Sequence, residues 1–368
     1  MNNKQSSTAL FKTITSILSV PTTTFHEQWL SAEIVRRIKK LKSVKLEQDA
    51  AGNIFVKYLP AKSAKLCLQA HLDHPGYVVR ESEGPAQIAE AYGGVPKNCV
   101  GGTLRFFSKP STAGQKAKIT KAPFEKDGRY FIEFSSSKKI PEQAIGMWDF
   151  PVFKKSGDWF EGRSLDDNLC VGVLMHLLER ASAEKWKEPF ALLFTRAEEE
   201  GFIGTHELLA KRSFKLPKTI ITLEVPRENG ALVASDGVMV RVGDRNLCYD
   251  PALIFHLESL ALELTHEDKT FKYQKRLGLA GGIESTVFSL HGYTVASICV
   301  AVQHGHNIDL TNQGRPAPER VHRGDLLALA TLIQSLLNRP FNPGSGLKDL
   351  KKRLDARGKK WAPELYSR

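Results

Sequence analysis

The chain has 368 residues, of which 42% are hydrophobic and 25% charged, and it carries a net charge of +12. This is the composition of an ordinary soluble globular protein, and the length exceeds a single core, so one large domain and one smaller one are expected. No apolar run is long enough to cross a bilayer, which excludes a helical span and makes a membrane an unexpected partner.

Apolar positions 10, 11, 14, 17 and 18 fit one helix face, so 8–19 reads as a core helix; Lys12 interrupts what would otherwise look faintly like a signal peptide. A second amphipathic helix is expected over 27–42, with Leu30, Ile34, Ile38 and Leu41 on one side. Strands follow at 44–49 and 53–58, around the turn Ala51-Gly52-Asn53. The run 65–70 reads as a buried strand that ends in His71-Leu72-Asp73-His74-Pro75-Gly76. Residues two apart in a strand share a face, so His71 and Asp73 point the same way. An imidazole at a strand's C-terminal end is a natural metal ligand, and a carboxylate beside it can fix its tautomer. The plainer alternative is a surface histidine beside a turn aspartate.

Between 77 and 161 short β-like runs (102–107, 117–119, 129–134) alternate with turns rich in Gly, Pro and Lys, and no long helix is expected. This reads as a small β domain, barrel-like, inserted into the larger one. The chain returns through Trp148, Phe150, Val152 and Phe153 to Ser164-Leu165-Asp166-Asp167-Asn168. Adjacent carboxylates repel, and where a helix begins they need a cation or water. Alternatively Asp167 is simply the N-cap of the helix that starts at Asn168, with Asp166 solvated beside it.

Cys170, Val171, Leu174, Leu177 and Leu178 then form a helix face, and the strand-like run 190–195 leads into Arg196-Ala197-Glu198-Glu199-Glu200-Gly201. A helix over 205–211 and a strand over 219–223 ending at Glu224 come next, followed by a helix at 252–266, a strand at 295–301 and a closing helix at 324–338. The alternation predicts an α/β fold with a largely parallel central sheet flanked by helices, formed by 1–76 and 162–345. From Lys348 onward eight Lys/Arg stand against three Asp/Glu, so 346–368 reads as a basic tail, either a solvated face or an interaction arm. Without zinc-finger spacing or an aromatic-basic pattern, nucleic acid is not an expected partner.

Ligands gather at the carboxyl ends of strands in such sheets, and His71, Glu198, Glu199, Glu224 and His306 all follow strand-like apolar runs. Three adjacent glutamates alone would be a solvated charge run. Combined with His71, the aspartate pair, Glu224 and a late histidine, they supply oxygen and imidazole ligands suited to zinc, cobalt or manganese. The five cysteines, at 67, 99, 170, 248 and 299, are scattered, odd in number and without a C-x-x-C pair. They argue against thiolate zinc and a disulfide framework, and for a reducing compartment, here the cytoplasm.

The helical start, H-x-D at 71–73, the inserted β region, S-L-D-D at 164–167, T-R-A-E-E-E-G at 195–201, Glu224, Gly281-Gly282 and a histidine before the last helix together resemble the co-catalytic dimetal aminopeptidases of the M42, M28 and M20 clan. The M42 glutamyl aminopeptidase-like branch is the nearest in pattern. The resemblance implies that Asp166 bridges two metals, that His71 and Glu224 complete one site, and that Glu199 and His306 complete the other. It makes Glu198 the general base toward a metal-bridging water, Asp73 the partner of His71, and Asp166-Asp167 the place of a cis peptide. Zinc is the first expectation, short peptides are the expected substrates, and a large homo-oligomer is implied. Glu224 departs from the aspartate more usual in M42 enzymes, and Gln303-His304-Gly305-His306-Asn307 leaves His304 as a second candidate. Gly281-Gly282-Ile283-Glu284-Ser285 matches the family's glycine-rich segment only in outline, so Glu284 is either near the site or a solvated acid in a tight turn. His26 and His74 are expected to be structural or surface residues. A related deacylase or carboxypeptidase, and a non-catalytic binding protein on the same fold, are the competing functions.

Overall fold

The computed structural model describes residues 3–81, 86–110, 113–230, 232–278 and 281–367. Positions 82–85 and 111–112 of the expected inserted domain lie outside the described residues, as do the first two residues and the last. The chain opens with helices α1 (Asn3–Leu18) and α2 (Gln28–Ile38). Leu10, Ile14, Ile17 and Leu18 of the first and Leu30, Ile34 and Ile38 of the second are buried, at the spacing of one helix face. Strands β1 (Val44–Gln48), β2 (Ile54–Tyr58) and β3 (Leu66–His71) follow.

The next six strands are β4 (Gly76–Glu81), β5 (Gln87–Tyr92), β6 (Thr103–Phe107), β7 (Gln115–Lys126), β8 (Arg129–Ser136) and β9 (Ile145–Trp148). They close on one another in the order β4-β5-β8-β7-β6-β9 around their own core, which includes Val79, Leu104, Phe106, Ile132, Phe134 and Trp148. Closure removes the free edges that a six-stranded open sheet would present. Two short strands, β10 (Lys154–Ser156) and β11 (Trp159–Gly162), bring the chain back.

Helix α3 (Asn168–Glu184), β12 (Phe190–Thr195), α4 (Ile203–Ala210), β13 (Thr219–Glu224) and β14 (Val238–Arg241) rebuild the body. Then come α5 (Pro251–Glu267), β15 (Tyr273–Arg276), α6 (Glu284–Leu290), β16 (Thr294–Cys299), β17 (Val302–Gln303), β18 (Ile308–Asp309), β19 (Arg315–Pro316), β20 (Glu319–His322), α7 (Arg323–Leu337) and α8 (Pro343–Trp361). Local chemistry sets the start of α5. Asp250 caps α5 by accepting from the Leu253 N–H at 2.8 Å, with Pro251 in the first turn.

The central sheet has eight strands in the order β1-β2-β12-β3-β13-β16-β14-β15. Its middle is parallel, from β12 through β3 and β13 to β16, and every residue of β3, β12 and β13 is buried. Such runs read as continuously apolar because helices cover both faces. The expectation of a largely parallel sheet needs correction toward the edges. There β1 with β2, β2 with β12, and β14 with β16 pair antiparallel, so the sheet is mixed. A short turn suffices to join an antiparallel pair such as β1 and β2, whereas parallel neighbours need a long crossover.

Strands β10 and β11 pair with β20 and β17 in a separate four-stranded sheet rather than with the closed strands. The basic C-terminal segment is helical as α8, and residues 351–367 are all exposed. Among the described residues no helix is long and apolar enough to cross a membrane.

Candidate metal centre

β3 and β13 are neighbours, and their C-terminal residues, His71 and Glu224, both come to one end of the sheet. The loop after β12 delivers Glu198 and Glu199 to the same place, the turn before α3 delivers Asp166, and a 3₁₀ turn over Gly305–Asn307 delivers His306. Ligand atoms of His71, Asp166 and Glu224 lie within 4.8 Å of one another, as do those of Asp166, Glu199 and His306, and those of His71, Glu198 and Glu199. Asp166 thus belongs to two groups at once. Its Oδ1 is 3.6 Å from His71 Nε2 and its Oδ2 is 3.7 Å from His306 Nε2. Glu199 Oε2 stands 3.3 Å from His306 Nε2, and Glu198 Oε2 3.9 Å from His71 Nε2.

Asp73 is fully buried and sits 3.4 Å from His71 Nδ1. It also organises the glutamate loop, since its Oδ1 accepts from the Glu198 N–H at 2.9 Å and its Oδ2 from the Glu199 N–H at 3.1 Å and from Thr24 Oγ1 at 2.9 Å. The Asp166-Asp167 peptide is cis. Asp167 occupies the N-cap position of α3 without making a capping hydrogen bond; its Oδ2 accepts instead from the His71 N–H at 3.2 Å. The alternative of a plain capping aspartate is therefore set aside.

Electrostatics describe a site with too many acids for its neutral and basic partners. Burial lifts the Glu198 carboxyl well above the usual range, and Glu224, Glu284 and Asp73 add to the shift by repulsion. Burial does the same at Glu199, with Glu198 and Asp166 beside it, and pushes Glu224 up to about 8. Burial alone would depress His71, yet Glu198, Asp166 and Asp73 hold it well above the ordinary histidine value. His306 is pushed down to about 4, chiefly by burial. Asp166 Oδ1, Glu199 Oε1 and Glu224 Oε1 are buried without a hydrogen-bond partner, and His71 Nε2 and His306 Nε2 face the same carboxylates. Clustered orphan oxygens beside imidazole nitrogens are the donor set of a divalent cation, and the residues present fit one.

The structure separates the two late histidines. His304 lies outside all three groups; its Nδ1 is 3.0 Å from the Pro318 carbonyl oxygen and its Nε2 is 3.7 Å from Asp309. His26 is also outside them, against the ring of Tyr92. His74 is buried, with Nδ1 2.5 Å from the Asp166 carbonyl oxygen. Glu284 is not a solvated turn acid. It opens α6, is wholly buried, and accepts from Thr195 Oγ1 at 3.0 Å as well as from Gln69 Nε2 and Thr205 Oγ1.

Sequence alone assigns no role at the site to Glu319, Arg227 or Arg241. Glu319 is buried beneath the Asp166 loop, and both arginines line the cavity over the cluster. That cavity holds about 510 Å³ and is also lined by Gly94, which the closed β-strand region contributes. Gly94 packs so closely on His306 that an added Cβ would lie 2.9 Å from Nδ1. No residue type or spacing around position 319 signals its role, because its partners are backbone N–H groups.

The family model for M42 glutamyl aminopeptidase matches residues 52–313, which makes this chain a peptide hydrolase on a mixed α/β fold. It belongs to the M42 peptidase family. Among solved structures, the TET1 peptidase of Pyrococcus horikoshii, described as assembling into a tetrahedron or a large octahedral shell, is similar over 90% of this chain and 100% of its own, at 18% identity and TM-score 0.72. A TET aminopeptidase from the marine sediment archaeon Thaumarchaeota archaeon SCGC AB-539-E09 is similar over 92% and 97%, at 15% identity and TM-score 0.74. An aminopeptidase from Desulfurococcus kamchatkensis is similar over 92% and 96%, at 17% identity and TM-score 0.71. At such identities the likeness is one of fold. No curated protein sequence matches the chain.

Proposed function

We propose that this chain is a metal-dependent aminopeptidase that removes N-terminal residues from short peptides. The observation that carries the reading is Asp166, whose two carboxylate oxygens face different histidines in two separate ligand groups. His71 and Glu224 would hold one divalent ion with it, and Glu199 and His306 the other; zinc suits the donors best, with cobalt or manganese as alternatives. Bound there, such ions would supply Lewis acidity toward a peptide carbonyl and make water at the site more acidic.

Glu198 is the general base. It stands beside His71 on the loop that Asp73 grips, and it takes a proton from the attacking water and returns it to the leaving amine. Asp73 orients His71 and fixes the backbone of Glu198 and Glu199. The cavity of about 510 Å³ is the size of a small-ligand site and admits the end of a peptide.

The catalytic domain is assigned to 1–76 and 162–345, interrupted by 77–161 and followed by the basic segment 346–368. A homo-oligomer is part of the proposal, supported by the shells described for the similar TET1 peptidase. A cytoplasmic location is supported by five unpaired cysteines.

The test is metal analysis of the purified protein together with a panel of aminoacyl anilides, assayed before and after chelation. Activity is expected to vanish on chelation, to return with zinc or cobalt, and to be absent toward the N-acetylated anilides. Hydrolysis that persists after complete metal removal sinks the proposal. Hydrolysis of acylated substrates in preference to free amines redirects it to a deacylase.

A further inference from the structure

We infer that Glu319 is a positioning residue that ties the loop of Asp166 to the loop of His306, and that the affinity of the chain for divalent metal depends on this tie. The inference rests on the metallopeptidase reading above. Glu319 is the first residue of β20 and is wholly buried. Its carboxylate serves two segments that are remote in sequence. Oε2 accepts from the Leu165 N–H at 2.5 Å and the Asp166 N–H at 3.3 Å, while Oε1 accepts from the His306 N–H at 2.8 Å.

A second link runs alongside. His74 donates from Nδ1 to the Asp166 carbonyl oxygen at 2.5 Å, and its Nε2 lies 3.3 Å from Asn307 Oδ1 and 4.0 Å from Glu319 Oε2. Asp166 is therefore held at its N–H and at its C=O, and the His306-Asn307 pair at a backbone N–H and a side chain. The ring closes through Asp166, His74, Asn307, His306 and Glu319.

The ring is needed because of the backbone it restrains. His304, His306 and Asn307 have φ of +58°, +57° and +60°, a left-handed conformation that is uncommon for non-glycine residues even though Asn and His adopt it more readily than most, and three such residues fall within four positions. Released, the turn would relax and swing the His306 ring away from Glu199 and Asp166. Chemistry also restricts position 319 to a carboxylate. Its two oxygens face only donors, and a glutamine would turn an NH₂ group toward one of them. All three of its hydrogen bonds among the described residues go to ligand residues or to the neighbour of one, which separates it from a carboxylate that merely pins the sheet.

The experiment compares wild type, Glu319→Gln and Asn307→Ala as full chains. Metal-free protein is titrated with zinc in competition with a chromophoric chelator, cobalt-loaded protein is examined by visible absorption, and the melting of the metal-free forms is followed by circular dichroism. Glu319→Gln is expected to bind metal about 10- to 100-fold more weakly, the range seen when groups that orient ligands are removed, with an altered cobalt spectrum. Asn307→Ala is expected to lose less, in the same direction.

A folded Glu319→Gln variant with wild-type affinity and spectrum overturns the inference, even if its melting temperature has fallen. Should that variant not fold, wild-type affinity in Asn307→Ala overturns it instead. A wild-type chain that takes up no metal is a separate result, which removes the metallopeptidase reading and this one with it.

Discussion

Glu198 and Glu199 are neighbours in sequence, yet the loop after β12 gives them different surroundings. Glu199 faces His306 at 3.3 Å, whereas Glu198 faces His71 at 3.9 Å and lies outside both groups that share Asp166. Replacing Glu198 by glutamine keeps the shape and removes the base. The expected outcome is a fall in kcat of about 10²–10⁴-fold with unchanged metal content, measured by steady-state kinetics beside elemental analysis. A loss of metal in that variant would show that Glu198 is a ligand instead. At this scale the gathering of His71, Asp166, Glu199, Glu224 and His306 in one place is legible in the sequence, since each is a metal-ligating residue type following a strand-like run or opening a helix. Glu284 was half legible, as a residue near the site or a turn acid, because its burial among Gln69, Thr195 and Thr205 depends on partners far away in sequence.

Helix α3 carries the Asp166 loop at its start and is fixed to the body by close contact with α1. Gly172 touches Ile14 so tightly that an added Cβ would meet its Cα and Cγ1 at 2.9 Å. Gly172→Val is expected to lower unfolding free energy by about 1–3 kcal/mol, read from denaturant titration, because a packed helix pair cannot take up the extra volume. The same helix holds His176, which is pushed down to about 4 by burial, with Arg180 contributing. The folded state therefore binds fewer protons than the unfolded state between that value and the ordinary histidine value near 6.5. Stability is fully present above about pH 6.5 and falls as pH drops toward 4. Melting temperatures across this window should decline less steeply in His176→Gln, and identical slopes would remove His176 as the cause. Long apolar elements such as α3, β12, β13 and α7 were readable from period and run length. Shorter ones, among them β14, β15 and the seven-residue α6, were not, because so few residues carry no period and their pairing comes from distant strands.

For the whole molecule the main liability is the collection of buried and half-buried acids at one end of the sheet. Against their burial, His71 holds Asp73 and Asp166 below the usual carboxylate range, but burial and mutual repulsion push Asp167, Glu198, Glu199, Glu224 and Glu284 up, and a bound cation would relieve that repulsion. Chelation is therefore expected to lower the melting temperature as well as abolish activity. Each site filled at a hundred times its Kd contributes about 2.7 kcal/mol to the folded state. Calorimetry with and without added zinc checks this, and an unchanged melting temperature would show that the acids are satisfied without metal. The closed six-stranded region enters the same site through Gly94, which rests against His306, so that region is part of the cavity wall.

By itself the sequence determined the α/β class, the buried central strands and a set of oxygen and imidazole donors at strand ends. These follow from local period and from the rule that ligands collect where parallel strands end; the pairing of those donors around two metals came from the resemblance to the family. Tertiary structure alone decided the mixed edges of the sheet, the pairing order of the six closed strands, and the tie through Glu319 and His74. Those features depend on pairings and backbone hydrogen bonds between distant segments, and a peptide N–H looks the same at every position of a sequence.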